Sequence, residues 1–345
     1  MIVPAVVAGF AGMVLGVVVF APFVALAYRR YRRLTLRYML GWLGFLVYFI
    51  AIWTYTLAPF PDRGESRCAQ PQLTPLASIP DALSYPHASA SQLLHNPVLA
   101  QMALNVALFV PLGLFARLLW RRGPLVAAAV GAGLSLFVEL TQLTGVWGLY
   151  PCAYRVFDVD DLITNTSGAL IGAALALFLP RGWLTPEPQP RGEPAPVTAG
   201  RRLAAMVCDG LAVPVLGFGA ALAVQVIDQY TAVAAPAALA GQVAFATPFA
   251  VQVVCVLVSG RSLGDVATLL RWSPARPAWL GKRLARLAGG VCGFQLLGLA
   301  PGPWSSLQAV FALAALVTAM AGRRRRGLPG LLGRQELTDA RAPRP

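Results

Sequence analysis

Long apolar runs separated by short polar segments make up most of this chain. A helix needs about 20 apolar residues to cross the hydrocarbon layer of a bilayer. By this criterion the pattern predicts nine membrane-spanning helices, at residues 3–27, 38–58, 101–120, 124–145, 161–180, 203–227, 238–259, 287–301 and 304–321. The eighth run is short and Pro301 and Pro303 close it, so half of a re-entrant hairpin is an alternative there.

Composition supports the same class of protein. The chain has 345 residues, of which 57% are hydrophobic and only 12% are charged. An ordinary soluble domain is about 45–50% apolar and about 25% charged, and disordered segments are apolar-poor and charge-rich. The sequence therefore predicts an all-α, multi-pass integral protein of the cell membrane, with the lipid bilayer as its surroundings.

The positive charges predict an orientation. In a soluble protein a net charge of +14 would suggest nucleic acid, but cytoplasmic loops of membrane proteins also collect Lys and Arg, and no nucleic-acid partner is expected. With the N-terminus outside and the C-terminus cytoplasmic, all but three of the 28 Lys and Arg residues face the cytoplasm; the exceptions are Arg63, Arg67 and Arg155. The arginines at 29–37, after the first apolar run, favour a retained anchor over a cleaved leader.

A Pro-rich polar segment divides the chain into two membrane domains. Residues 181–200 are predicted to form a semi-rigid cytoplasmic linker. Five predicted spans precede it in residues 1–180, and four follow it in residues 201–326. Residues 327–345 are predicted to form a flexible basic tail.

Two of the five cysteines lie in the large predicted outer loops. Cys68 and Cys152 would face an oxidising compartment, where a disulfide between them is expected. Two unrelated thiols are the alternative. Cys208, Cys255 and Cys292 lie in predicted spans and are interpreted as packing residues.

Polar residues gather at the predicted outer ends of three spans. In the fourth span Ser135, Glu139 and Gln142 share one helix face, and an intramembrane carboxylate such as Glu139 is a functional candidate by default. Gln101 and Asn105 lie at the outer end of the third span, where Pro111 permits a kink below them.

The fifth span opens with the densest charge group of the chain. Its candidates are Arg155, Asp158, Asp160, Asp161 and Asn165. Asp158, Asp161 and Asn165 continue into Gly168 and Gly172 as one stripe, and the glycines allow a neighbouring helix to approach closely.

Several chemistries fit this group. Glu139, Asp158 and Asp161 are candidate ligands for Mg²⁺ or Ca²⁺, which prefer oxygen ligands. A metal with Arg155 would clamp a lipid phosphate while Glu139 acts as acid or base. Asn105, Gln142, Asp160 and Asn165 are then candidate substrate-binding residues. Proton transport through the carboxylates is an alternative, and so is a structural cluster of caps and interhelical hydrogen bonds.

Three stretches carry a family resemblance. They are NVALFVPLG from Asn105, SLFVELTQ from Ser135 and YRVFDVDDLITNTSGALIG from Tyr154. Together, in this order, they resemble the VanZ-like family over about residues 10–180. The resemblance implies a helical membrane protein of the cell envelope, related to one associated with teicoplanin resistance. The matched positions are Asn105, Pro111, Gly113, Glu139, Gln142, Arg155, Asp158, Asp161, Asn165 and Gly168.

The C-terminal half resembles a second family, the RDD family, over about residues 198–325. The family pattern has an Arg followed by an Ala three residues later and an Asp seven residues later, as in Arg202, Ala205 and Asp209. The segment RSLGDVATLLR at 261–271 is similar to the inner-loop segment of the family. The resemblance implies transport or membrane anchoring. Arg202 and Asp209 share a helix face and are predicted to pair through a neighbour, with helix capping as the alternative.

The sequence leaves three functions open. The first is an envelope protein whose outward polar pocket binds or modifies a cell-wall lipid intermediate or an amphiphilic glycopeptide. The second is an ion- or proton-coupled transporter, motivated by Glu139 and Asp209 at two depths. The third is a scaffold whose tail, Arg323–Arg326, lies on anionic lipid. No motif decides whether the protein is an enzyme.

Overall fold

The chain folds into two compact units that are mainly helical. The computed structural model describes residues 2–58, 68–188, 193–230, 236, 238–273, 279–302, 306–322 and 324–343. Helices make up 72% of the structure, as expected of an all-α membrane protein. One unit contains residues 1–15 and 35–187, and the other contains residues 16–34 and 188–345. Of the sequence features above, those that lie outside the described residues are Arg63, Arg67, Pro303, Arg323, residues 189–192 of the linker, residues 304–305 of the ninth predicted span and residues 344–345 of the tail.

The first unit, which we call the N-terminal unit, is built from helices and one short 3₁₀ turn. Helix α1, Ile2–Tyr31, contributes residues to both units. The other helices of the N-terminal unit are α2 Leu36–Leu57, α3 Ser78–Ser84, α4 Ala90–Leu94, α5 Pro97–Leu118, α6 Pro124–Leu143, α7 Gly145–Gly148 and α8 Val159–Leu175, followed by the 3₁₀ turn Ala176–Phe178.

The second unit, which we call the C-terminal unit, adds a small sheet to its helices. Its helices are α9 Ala199–Tyr230, α10 Leu239–Ser259, α11 Leu263–Ala267, α12 Trp279–Gly289, α13 Val291–Leu297, α14 Leu307–Ala321 and α15 Gly327–Leu332. Strands β1, Leu270–Ser273, and β2, Glu336–Asp339, pair antiparallel with Leu270 opposite Asp339.

Seven helical segments within the described residues are long and apolar enough to cross a membrane. They are Gly12–Tyr31, Leu36–Leu57, Pro97–Leu118, Pro124–Leu143, Val159–Phe178, Ala199–Tyr230 and Leu239–Ser259. The apolar helix α14 is shorter, at 15 residues. The membrane class follows from these helices, whereas the count of nine spans and the orientation remain predictions.

Two C-terminal segments differ from their prediction. Residues 287–301 do not form one helix. Helix α12 ends at Gly289, and the separate helix α13 starts at Val291 and is only 7 residues long. The described residues of the tail, 327–343, are not a flexible extension, since they form α15 and β2. Leu337 of β2 is buried in a small apolar cluster with Leu270 and Trp272, and burial of this kind holds a short strand in place.

Glycines let α5 and α8 pack with their backbones in contact. A Cβ atom at Gly168 would collide with the carbonyl oxygen of Val106, and one at Gly172 would collide with that of Val110. From the opposite side, a Cβ at Gly113 would collide with the carbonyl oxygen of Ala169. The predicted close approach at the glycine stripe is confirmed, and it brings the polar residues of α5 and α8 together at one end of the helices.

Candidate functional site

Polar side chains from α5, α6 and α8 meet where α6 ends and α8 begins. We call this group the polar cluster, and it consists of Asn105, Ser135, Glu139, Asp158, Asp161 and Asn165. The two members from α6, Ser135 and Glu139, lie on the helix face that their spacing predicts. Asp158, Asp161 and Asn165 follow the predicted stripe along α8. The structure therefore brings together six of the polar residues to which the sequence draws attention.

Glu139 connects α6 to the start of α8. Its side chain is only 2% exposed, and its Oε2 accepts a hydrogen bond of 3.0 Å from the backbone N–H of Asp158. Asp158 in turn caps α8 by accepting from the N–H of Asp160 at 2.8 Å. Burial raises the pKa of the Asp158 carboxyl, and the nearby carboxylates of Asp160 and Asp81 raise it further, against the lowering effect of the Asp160 N–H.

Asp161 is held by residues of the two neighbouring helices. Its Oδ1 accepts from Asn105 Nδ2 at 2.5 Å, and its backbone carbonyl accepts from Ser135 Oγ at 3.4 Å. Ser135 Oγ also accepts from Asn165 Nδ2 at 2.9 Å. The Asn165 Oδ1 atom is buried and has no hydrogen-bond partner among the described residues, so the cluster keeps one free acceptor.

Asp160 does not belong to the polar cluster, although it was a candidate for substrate binding. It is 3% exposed and its two oxygens accept from the N–H groups of Leu76, at 2.5 Å, and Ser78, at 2.8 Å. Gln72 of the same loop pairs with Asp158 in an isolated parallel bridge. Asp160 therefore anchors the loop before α3 to the start of α8.

Arg155 and Gln142 bind the end of α2 rather than the carboxylates. Arg155 donates to the carbonyl oxygens of Thr56, at 3.0 Å, and Ala58, at 3.1 Å. Gln142 Nε2 donates to the same Thr56 oxygen at 2.8 Å. A cation at a helix C-terminus satisfies free carbonyls and suits the helix dipole. Arg155 therefore caps α2, and its contact with a phosphate stays a prediction.

Tyr154 completes this cap and was not singled out from the sequence. Its hydroxyl donates to the Leu57 carbonyl at 3.0 Å. Burial raises the pKa of the Tyr154 phenol, so the hydroxyl remains a donor at physiological pH. In the sequence, the position of Tyr154 directly before Arg155 was the one hint of this role. The spacing does not identify the Leu57 carbonyl, which lies 97 positions earlier, as its partner.

The carboxylates of the polar cluster are not paired with a cation in the part of the chain that is described, although the charge of Arg155 acts on Glu139 from nearby. None of Glu139, Asp158 and Asp161 forms a salt bridge there. Their side chains also turn to different partners, and among the described residues no group of three or more His, Cys, Asp or Glu is placed to hold a metal ion. The predicted Mg²⁺ or Ca²⁺ site at these residues therefore does not fit the geometry.

A disulfide joins Cys68 to Cys152 beside the polar cluster, with 5.4 Å between the Cα atoms. The adjacent backbone continues the connection, because the Ala69 N–H donates to the Ala153 carbonyl at 2.8 Å. The segment from 68 to 78 is thereby fixed at one end by the disulfide and at the other by Asp160.

Removing this disulfide is expected to loosen the loop before α3. Cys68→Ser and Cys152→Ser should each lower the stability of the N-terminal unit by about 2–4 kcal/mol, the usual contribution of a disulfide that closes a long loop. The melting temperature of the purified protein measures this change. Cys255→Ser, which removes an unpaired thiol, is the control, and equal melting of Cys68→Ser and wild type would contradict the expectation.

In the C-terminal unit, Arg202 and Asp209 both bind the segment around α11. Arg202 pairs with Asp265 at 3.1 Å. Asp209 accepts from Ser262 Oγ at 2.6 Å and from the Gly264 N–H at 2.7 Å. The two residues are thus linked through a common neighbouring segment rather than directly.

These features define a multi-spanning helical membrane protein with a polar cluster at one end of its N-terminal helices. A family model described as VanZ/LLP1 matches residues 45–180, which include every member of that cluster, so this part of the chain is similar to that family. No curated protein and no solved structure matches the chain. The family match ends before α9, so the resemblance of the C-terminal unit to the RDD family remains a prediction.

Proposed function

We propose that the polar cluster recognises an amine-bearing amphiphile of the cell envelope. Candidate ligands are a lipid-linked cell-wall intermediate, bound through an amine of its peptide, and an amphiphilic glycopeptide. The apolar part of such a ligand lies in the bilayer while its polar part reaches the helix ends. In this proposal the cluster faces the outside of the cell membrane, an orientation that the disulfide supports because disulfides persist in oxidising compartments.

The observation that carries the proposal is the charge balance of the cluster. Glu139, Asp158 and Asp161 lie close together without a salt bridge among the described residues, and the nearby Arg155 is bound to the end of α2. Buried carboxylates are costly unless they are paired, and they are rare in membrane helices without a functional reason. A ligand ammonium group would supply the missing positive charge.

The free acceptor on Asn165 supports the same chemistry. Its Oδ1 is buried without a partner among the described residues, although its Nδ2 is bound to Ser135. An unsatisfied buried acceptor calls for a donor that the protein does not itself provide. An amine N–H or a sugar hydroxyl is such a donor, whereas a fully ionised phosphate, which only accepts, is not.

A phosphate-binding site at this end of the helices is not part of the proposal. It would require Arg155 to leave two carbonyls of α2, and it would place an anion beside three carboxylates. Like charges within a few ångströms repel strongly in a medium of low dielectric constant. The proposed role is therefore binding through positive charge and hydrogen-bond donors.

Charge-removing variants in the cluster test this function in cells. When the chain is expressed in a glycopeptide-sensitive bacterium, it should raise the tolerated concentration of a lipid-bearing glycopeptide. Glu139→Gln and Asp161→Asn should lose most of this gain, because each keeps its local acceptor but removes a carboxyl group that can carry a negative charge. The measurements are growth inhibition and the amount of protein in the membrane fraction.

Asp81→Asn is the matched control, because Asp81 is an exposed carboxylate of α3 near Asp158 but outside the cluster. It should keep the full gain in tolerance. If wild type confers no tolerance, or if both cluster variants keep full tolerance at equal membrane levels, the proposed function is wrong.

A further inference from the structure

The C-terminal unit contains a cavity of about 240 Å³ that the sequence did not predict. Its wall is mostly apolar and includes Val256, Phe294 and Phe311, with a few charged residues such as Arg202 and Arg286. A largely apolar cavity with a small number of polar groups is the usual composition of a ligand site.

The carboxylates on the cavity wall already have partners. Asp209 receives hydrogen bonds from Ser262 and Gly264, as described above, and a third from Gln252 Nε2 at 2.9 Å. Asp265 accepts a hydrogen bond of 3.1 Å from the Arg202 guanidinium and one of 2.8 Å from Trp272 Nε1. Neither carboxylate is left to attract a positively charged ligand.

The arginines on the same wall keep free donors. Arg202 and Arg286 are 5% and 8% exposed, and the Nε–H group of each is buried with no hydrogen-bond partner among the described residues. Arg286 donates from another nitrogen to the carbonyl of Gly260, and it forms no salt bridge within the described part of the chain. Burial lowers the pKa of Arg286 to about 10, so the guanidinium is still cationic at neutral pH.

The cavity lies at the level of the membrane surface rather than in the centre of a span. Arg202 is in the first turn of α9, and Gly260 follows the last residue of α10. These two helices are candidate membrane spans, so their ends meet the headgroup region of the bilayer. Basic pockets between membrane helices at this depth are typical sites for the phosphates of lipid headgroups.

We propose that this cavity binds the phosphate group of an anionic lipid. The guanidinium of Arg286 holds the phosphate with the free Nε–H of Arg202, since guanidinium groups match phosphate oxygens in charge and geometry. The first part of the acyl chain lies against Phe294 and Phe311. This site is independent of the polar cluster, because it belongs to the other unit and prefers the opposite charge.

Binding to the purified full-length chain in detergent tests the proposal. The probes are a short-chain phosphatidic acid, a short-chain phosphatidylcholine and inorganic phosphate, compared by calorimetry. We expect phosphatidic acid to bind more tightly than either of the others. Arg286→Gln should weaken it by about tenfold or more, as expected when a charged hydrogen-bond partner is lost.

Two further variants separate binding from folding. Ala315→Leu fills part of the cavity without changing any charge, since Ala315 lines it, and it should weaken phosphatidic acid binding even if Arg286→Gln does not fold. Arg324→Gln removes an arginine whose side chain is 68% exposed, and it should bind like wild type.

Three results would overturn the proposal. One is equal binding of phosphatidic acid and phosphatidylcholine by wild type. Another is unchanged phosphatidic acid binding in folded Ala315→Leu. If inorganic phosphate bound as tightly as phosphatidic acid, the site would serve a free anion and the assignment to a lipid would be wrong.

Discussion

Gly172→Ala should destabilise the N-terminal unit severely. The added methyl group would meet the carbonyl oxygen and Cα of Val110, which are backbone atoms of α5 that no side-chain rotation can move. Overpacking of a close interface usually costs about 1–3 kcal/mol, and more when the neighbour cannot relax. We expect a loss of at least about 3 kcal/mol and little protein in the membrane fraction.

Gly133→Ala is the control for this substitution. Gly133 lies in the neighbouring helix α6, and nothing lies within 4 Å of the position that its Cβ would take. Since alanine favours helix more than glycine does by about 1 kcal/mol, this variant should be as stable as wild type or slightly more stable. Thermal unfolding of both proteins in detergent measures the difference, and similar melting temperatures would refute close packing of α5 on α8.

Asp339→Ala should strongly destabilise the C-terminal unit. Asp339 of β2 pairs with Arg201 at 2.9 Å, and the two side chains are 2% and 3% exposed. Its oxygens also accept from the N–H groups of Ala195 and Arg341. Removing one partner of a buried ion pair leaves the other charge unpaired, which typically costs about 3–5 kcal/mol.

Glu336→Ala on the same strand gives the comparison. Glu336 also pairs with arginines, Arg324 and Arg326, but its side chain is 49% exposed. Exposed ion pairs contribute about 0–1 kcal/mol, so this variant should melt close to wild type. If Asp339→Ala and Glu336→Ala melted alike, the buried pair would not hold the C-terminal strand in place.

The same pair predicts how stability depends on pH. Burial alone would raise the pKa of Asp339, but hydrogen bonds from the N–H groups of Arg341 and Ala195, together with the charge of Arg201, lower it below its ordinary value of 3.8. A carboxyl with a lowered native pKa stabilises the fold above its unfolded pKa. This contribution should be constant at neutral pH and be lost as the pH falls below 3.8 through the native pKa, and it should be absent in Asp339→Ala.

The longest membrane helices were predictable from apolar length, although the apolar run 287–301 is divided between α12 and α13. The predicted spans 38–58 and 124–145 differ from Leu36–Leu57 and Pro124–Leu143 by no more than two residues at either end. Helical spacing also placed Ser135 and Glu139 of α6 on one face, and both contact α8 or the residue before it. Local periodicity carries this information without any knowledge of the tertiary structure.

The Cys68–Cys152 disulfide was predictable from its two outer-loop cysteines, but most hydrogen-bond partners distant in sequence were not. Arg155 was expected to contact a lipid phosphate, and nothing in the sequence around it pointed to the carbonyls at the end of α2 that accept its hydrogen bonds. The tail was expected to be flexible because it is short and basic, yet Leu337 and Asp339 fix it to β1 and Arg201. In both cases the structure depends on contacts between single residues that are far apart in sequence. The spacing of apolar and polar residues along the chain does not predict such contacts.

A positively charged amphiphile is the ligand that we propose for the polar cluster. The most direct test is to compare binding of an amphiphile with a primary amine and its N-acetylated counterpart to the purified protein. We predict that wild type and Asp81→Asn prefer the amine by about tenfold, the effect of one charged contact, and that the double variant Glu139→Gln with Asp161→Asn loses this preference. Equal binding of the two amphiphiles by wild type, or an unchanged preference in the double variant, would contradict the claim.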